Sequence, residues 1–148
     1  MKEYWLPNRG SPASFWYHEW SKHGTCINTL ASKCYDSTYT PGLEASQYFE
    51  TAVTLFKQLD SFKALKDAGV YPSFVRKWKR SIIEDALRKV TGKKVVLGCQ
   101  RGGVLNEIWY GFNVRGSVQG GDFVAADPEG KSFQTRCPED GVRWLPKE

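Results

Sequence analysis

The chain holds two histidines, and both stand in one run: Phe15-Trp16-Tyr17-His18-Glu19-Trp20-Ser21-Lys22-His23-Gly24-Thr25-Cys26. The same run carries two of the six tryptophans. Two imidazoles, an ammonium and a carboxylate close together suit proton transfer at a phosphate. An imidazole titrates near pH ~6.5 and serves as acid or base. Lys22 and His18, four residues apart, would neutralise phosphate oxygens while His23 moves a proton. Glu19, four residues before His23, is placed to orient it. A zinc site of the His-Glu-x-x-His type is disfavoured on geometry. That motif sets its histidines four apart, whereas these are five apart, about 140° around a helix. The plainer reading of the run is a helix with a solvated polar face, and a single His–Glu pair would be read that way. Four such groups flanked by two tryptophans weigh against it.

The element that must position these groups is a helix. Ser11 is a good N-cap, Pro12 suits the first helical position, and Gly24 is a stop signal. At about 100° per residue, His18, Lys22, Phe15, Glu19 and His23 share one arc of about 140°. Trp16 and Trp20 sit beside the arc as anchors for a core, and Tyr17 and Ser21 lie opposite.

Residues 1–11 read as an extended approach, with Pro7, Asn8 and Gly10 marking turns. Residues 27–40 read as a loop closed by Thr40-Pro41-Gly42. From Glu44 to Leu59, apolar residues recur at Tyr48, Phe49, Ala52, Val53, Phe56 and Leu59, which predicts a core-packing helix without chemistry. Asp60-Ser61 restarts a short helix ended by Gly69. Ser73 is expected to cap a helix running to about Val90, with Gly92 after it and a buried stripe of Val75, Trp78, Ile82, Ala86 and Val90. Its other faces carry Arg76, Lys77, Lys79, Arg80, Arg88 and Lys89, with Lys93 and Lys94 following. Such a charge run reads first as a solvated face and second as a patch for a polyanion. Beyond Lys94 the pattern turns to strands at 95–99, 105–114 and 122–126, with Ile108, Tyr110, Phe112 and Val114 on one face. Helices first and strands later predict an α+β fold, an antiparallel β-sheet packed against several α-helices. Residues 1–148 read as a single domain, without repeats or low-complexity tracts.

Composition sets the outer limits. The length fits one domain with a real core. Hydrophobic residues at 41% and aromatic residues at 14% exclude a disordered chain. The net charge of +5 is compatible with a polyanionic partner. No apolar run approaches about 18 residues, so no membrane helix is expected. The first residues show no apolar leader segment. The four cysteines, Cys26, Cys34, Cys99 and Cys137, include no Cys-x-x-Cys pair, and their even number fits disulfides in an oxidising compartment. A plain two-disulfide arrangement, 26–34 and 99–137, is one reading of them.

The twelve-residue run, written Phe-Trp-x-His-Glu-Trp-x-Lys-His-Gly-Thr-Cys, resembles the second active-site segment of the ribonuclease T2 family, the fungal branch in particular. The segment Leu105-Asn106-Glu107-Ile108-Trp109-Tyr110 and the tail from Asp127-Pro128-Glu129-Gly130 to Leu145-Pro146-Lys147 are also similar, so the resemblance spans nearly the whole chain. It implies a secreted or vacuolar, metal-free, monomeric endoribonuclease without cofactor. Such an enzyme cleaves single-stranded RNA through a 2′,3′-cyclic phosphate. By that resemblance His23 corresponds to a catalytic histidine. Glu19 and Lys22 correspond to groups that stabilise the pentacovalent phosphate, and His18 to a ligand of substrate phosphate. Phe15 corresponds to a wall of the second base pocket, and Asn8 to another pocket residue. Cys99 and Cys137 resemble the family's C-terminal bridge. Cys26 and Cys34 resemble cysteines that bond partners upstream, and here they are expected to be unpaired or paired with each other.

The family's other catalytic histidine lies in a His-Gly-Leu-Trp-Pro segment that this chain does not contain. The expectation is therefore a C-terminal portion of a family member, with the N-terminal part of the fold missing and some sheet and core uncovered. Two functions follow: a T2-type endoribonuclease, or a catalytically impaired relative that binds RNA or acts as a secreted effector.

Overall fold

The computed structural model describes residues 4–7, 10–130 and 133–146. Asn8 lies outside the described residues. The described elements are four helices, α1 (Pro12–Lys22), α2 (Leu43–Lys57), α3 (Ser61–Asp67) and α4 (Arg80–Thr91), and three strands, β1 (Val95–Gln100), β2 (Val104–Arg115) and β3 (Asp122–Ala126). The strands form one sheet of order β1-β2-β3, with β1 antiparallel to β2. The fold is α+β. It divides into two compact units, residues 1–58 with 114–122, and residues 59–113 with 123–148.

In the first unit, Ser11 caps α1 as its sequence dictates. Its backbone is extended and its hydroxyl accepts from the Ser14 N–H. A 3₁₀ turn, Gly24–Cys26, follows α1 directly, and the loop expected over 27–40 begins with two more, Asn28–Leu30 and Ser32–Cys34. Each satisfies its backbone locally, which a chain with few apolar residues can do without a sheet or long helix. The apolar side of α2 carries Tyr48 and Phe49, which meet the Trp5 ring at 6.0 and 5.2 Å. The Trp16 indole N–H donates to the Trp5 carbonyl at 2.7 Å. Trp20 stands edge-on to Tyr48 at 5.7 Å. The two tryptophans of α1 thus anchor it as their position on the helix predicts, although none of its residues is fully buried.

The second unit holds the larger core: Leu65, Val70, Ile83, Ala86, Leu87, Val95, Leu97, Cys137 and Val142. The helix expected from Ser73 starts seven residues later, at Arg80. Ser73 does use its hydroxyl as a cap would, accepting from the Val75 and Arg76 N–H groups at 3.2 and 3.0 Å. The result is a local turn. The chain then runs extended, and Trp78 exchanges both backbone hydrogen bonds with Val142, at 2.8 and 2.9 Å. That long-range bridge replaces the expected first turns of helix. The buried stripe shifts accordingly to Ile83, Ala86 and Leu87, while Val75 is 86% exposed and Ile82 is exposed as well. Gly92 ends α4 in the left-handed conformation expected of a stop glycine.

Val95, Leu97 and Cys99 alternate toward the core, and β2 answers with Tyr110, Ile108 and Leu105. Leu105 and Ile108 are three apart, not two. A register shift opposite Gly98 and Cys99 leaves Asn106 unpaired and returns Leu105 to the core side. The tail closes the unit. Arg143 hydrogen-bonds Gly103 and Leu105, Ser73 donates to the Trp144 carbonyl, and a disulfide joins Cys99 to Cys137. Cys26 and Cys34 carry free, exposed thiols.

Candidate active site

The candidate residues occupy the last two turns of α1 and the residue that ends it. His18, Lys22 and His23 are exposed, and Phe15 and Glu19 are half-buried. His23 is the C-cap. Its N–H still donates to the Glu19 carbonyl at 3.0 Å, but its backbone has left the helix, with φ −120° and ψ −50°. The helix end is held by side chains. Ser21 Oγ donates back to the His18 carbonyl, and Thr25 Oγ1 donates to the Ser21 carbonyl, one of those the last turn leaves open. Lys22 sits in that last turn, where a cation complements the negative end of the helix dipole.

Gly24 has a steric role beyond stopping the helix. It is buried, and a Cβ built on it would lie 2.1 Å from Cε3 of Trp20. The indole therefore lies flat against the backbone immediately after His23. A side chain at position 24 would have to displace either that ring or the turn after His23.

The structure brings the rings of His18 and His23 to a centroid separation of 6.5 Å, nearly perpendicular at 79°. Among the described residues, no side-chain hydrogen bond or ion pair joins Glu19 to His23. The departure of the His23 backbone from helical angles explains this, because the i,i+4 relation assumes a continued helix. Glu19 acts instead on Tyr48, a residue that sequence reasoning assigned only to packing. Burial of the Tyr48 ring, and secondarily the charge of Glu19, push its phenol above the ordinary range. Nothing local in the sequence signals this neighbour. It follows from how α2 meets Trp20.

The α+β fold thus presents two imidazoles and a lysine together at an exposed helix end. The comparisons with known proteins point to one family. The Ribonuclease T2 family model matches residues 1–127. Ribonuclease Trv of Hypocrea rufa is 47% identical over 148 residues, covering the whole of this chain and 61% of its own length. Ribonuclease T2 of Aspergillus oryzae is 43% identical over 149 residues, covering the whole of this chain and 52% of its own. The crystal structure of Actibind, a T2 ribonuclease, superposes with a TM-score of 0.90 at 43% identity, covering 99% of this chain and 61% of that one. The chain belongs to the ribonuclease T2 family. It spans about half to six-tenths of the length of these relatives.

Proposed function

We propose that the protein cleaves single-stranded RNA by transphosphorylation at the α1 site. The observation that carries this reading is the pair of exposed imidazoles at 6.5 Å with Lys22 beside them. A phosphodiester seated between the rings can accept hydrogen bonds from both. The ribose 2′-hydroxyl attacks phosphorus, the P–O5′ bond breaks, and a 2′,3′-cyclic phosphate remains. His23 transfers the proton, His18 binds a non-bridging oxygen, and Lys22 with Glu19 stabilises the pentacovalent phosphate. Phe15, half-buried on the same helix, offers a ring for the following base. Asn8 belongs to the same reading as a base-pocket residue. No metal is assigned a role in this reading.

A second reading is that this chain binds RNA and turns it over weakly. It is favoured by the chain's having only two histidines. Cleavage works best with proton-transfer groups on both sides of the phosphate, and His18 would have to leave its binding role to supply the second.

The deciding experiment is cleavage of single-stranded RNA by the full chain at about pH 5 with EDTA, followed by analysis of the ends. Cyclic-phosphate ends that fall about 10²- to 10⁴-fold in His23→Ala support cleavage at this site. Absence of cleavage by folded protein, or cleavage indifferent to His23→Ala, supports the second reading. We further read the protein as a monomer of a secretory or vacuolar compartment, where a bridge such as Cys99–Cys137 persists. The family match runs across both compact units, which supports treating residues 1–148 as one domain.

A further inference from the structure

The stretch between α3 and α4 displays apolar and cationic side chains together. Phe74 is 67% exposed, and Val75 beside it is more so. Arg76, Lys77 and Lys79 follow, all exposed. Among the described residues the ion pairs are Lys63–Asp67, Arg80–Glu84 and Arg88–Asp85, so none of these three cations is paired with a carboxylate. Glu139 and Asp140 lie on the neighbouring stretch of the tail, where the Glu139 carbonyl accepts from the Arg80 N–H.

The display is fixed. Ser73 is tied to Trp144 and Trp78 to Val142 through the backbone. The Arg76 guanidinium lies over the rings of Tyr71 and Trp78, 5.3 and 5.2 Å from their centroids, and donates to the Tyr71 hydroxyl. A guanidinium held between two aromatic rings loses little freedom when it meets a phosphate or a base.

We propose that Tyr71–Lys79 is a docking strip for single-stranded RNA, separate from the residues of the α1 site. The Phe74 ring stacks on a base, and Arg76, Lys77 and Lys79 take phosphates. Planar groups alternating with cations match a strand that offers bases and phosphates in turn. An anionic membrane surface would call for a broader apolar face than two side chains. The choice of RNA as the polyanion rests on the ribonuclease reading.

The test is binding of a fluorescent 2′-O-methyl RNA of about ten nucleotides, which cannot undergo 2′-hydroxyl attack, followed by anisotropy at several salt concentrations. Phe74→Ala and Phe74→Leu should each weaken binding about tenfold, since a leucine keeps the apolar bulk and loses the stacking plane. Arg76→Ala/Lys77→Ala/Lys79→Ala should lower the slope of log affinity against log salt by about 2, and Lys89→Ala/Lys93→Ala should leave Phe74 dependence intact. These side chains are exposed, and circular dichroism verifies that each variant is folded. Wild-type affinity in Phe74→Leu overturns the proposal. So does loss of binding to phosphatidylserine vesicles in Phe74→Ala with RNA binding unchanged. Assaying cleavage by the unmutated chain beside the titration separates the two readings: Phe74-dependent binding by an unmutated, folded chain that does not cleave RNA sinks the cleavage reading and leaves the strip standing.

Discussion

Gly24 shows how much one residue contributes to the candidate site. A methyl group there collides with Trp20, so either the indole or the turn after His23 must move. Overpacking of this kind costs roughly 1–3 kcal/mol. Gly24→Ala is expected to lower the unfolding free energy from urea titration by that amount and to reduce cleavage further than the stability loss explains, because His23 is re-aimed. Equal activity per folded molecule would sink this account. The sequence made the residue types of the site plain, since all of His18, Glu19, Lys22 and His23 lie in one run. It did not reveal that Glu19 would face Tyr48 without a hydrogen bond to His23. That outcome depends on the C-cap angles of His23 and on the approach of α2, neither of which leaves a local trace.

Helix α1 was legible because its signals are local: a serine cap, a proline after it and a glycine beyond the end. Ser11→Ala removes the acceptor for the Ser14 N–H and should cost about 1 kcal/mol, read as a shift in the urea midpoint. A shift below a few tenths would mean the cap hydrogen bond is replaced by water without loss. Helix α4 was misread at its start for an instructive reason. Ser73 makes the hydrogen bonds of a cap, but they close a turn, and the next residues are claimed by Val142, 64 positions away. Including residues 73–79 in the helix put Val75, Trp78 and Ile82 on the inferred stripe with Ala86 and Val90. Ala86 is buried as that stripe expects, but its fully buried companions are Ile83 and Leu87, and Ile82 is exposed. Ile83→Ala should therefore destabilise by about 2–5 kcal/mol and Ile82→Ala by far less, measured by denaturant unfolding. The strands were placed within a residue or two by alternation, but the unpaired Asn106 was not, since a bulge is set by the partner strand.

At the scale of the molecule, the Cys99–Cys137 bridge closes a loop of 38 residues. By chain entropy it should contribute about 4 kcal/mol, so Cys99→Ala/Cys137→Ala should unfold at markedly lower urea. An unchanged midpoint would show that the tail's hydrogen bonds alone hold the loop. Stability should also fall at alkaline pH. Burial raises the phenols of both Tyr48 and Tyr110 above their ordinary value. Below that value, about pH 10, both states keep the neutral phenol and the contribution is present in full. As pH rises past it the unfolded chain ionises first, and the contribution is lost through the higher folded-state values. Melting temperature measured from about pH 8 to 11 should decline at the alkaline end, less so in Tyr110→Phe.

Val142 is fully buried in a core whose other members begin at Leu65, and it pairs with Trp78. A ribosome making this chain therefore releases α3 and α4 to solvent before the residue that closes their core has emerged. Until translation has passed position 142, Leu97, Ile83 and Leu87 lack a wall, and the nascent chain presents apolar surface of the kind chaperones bind.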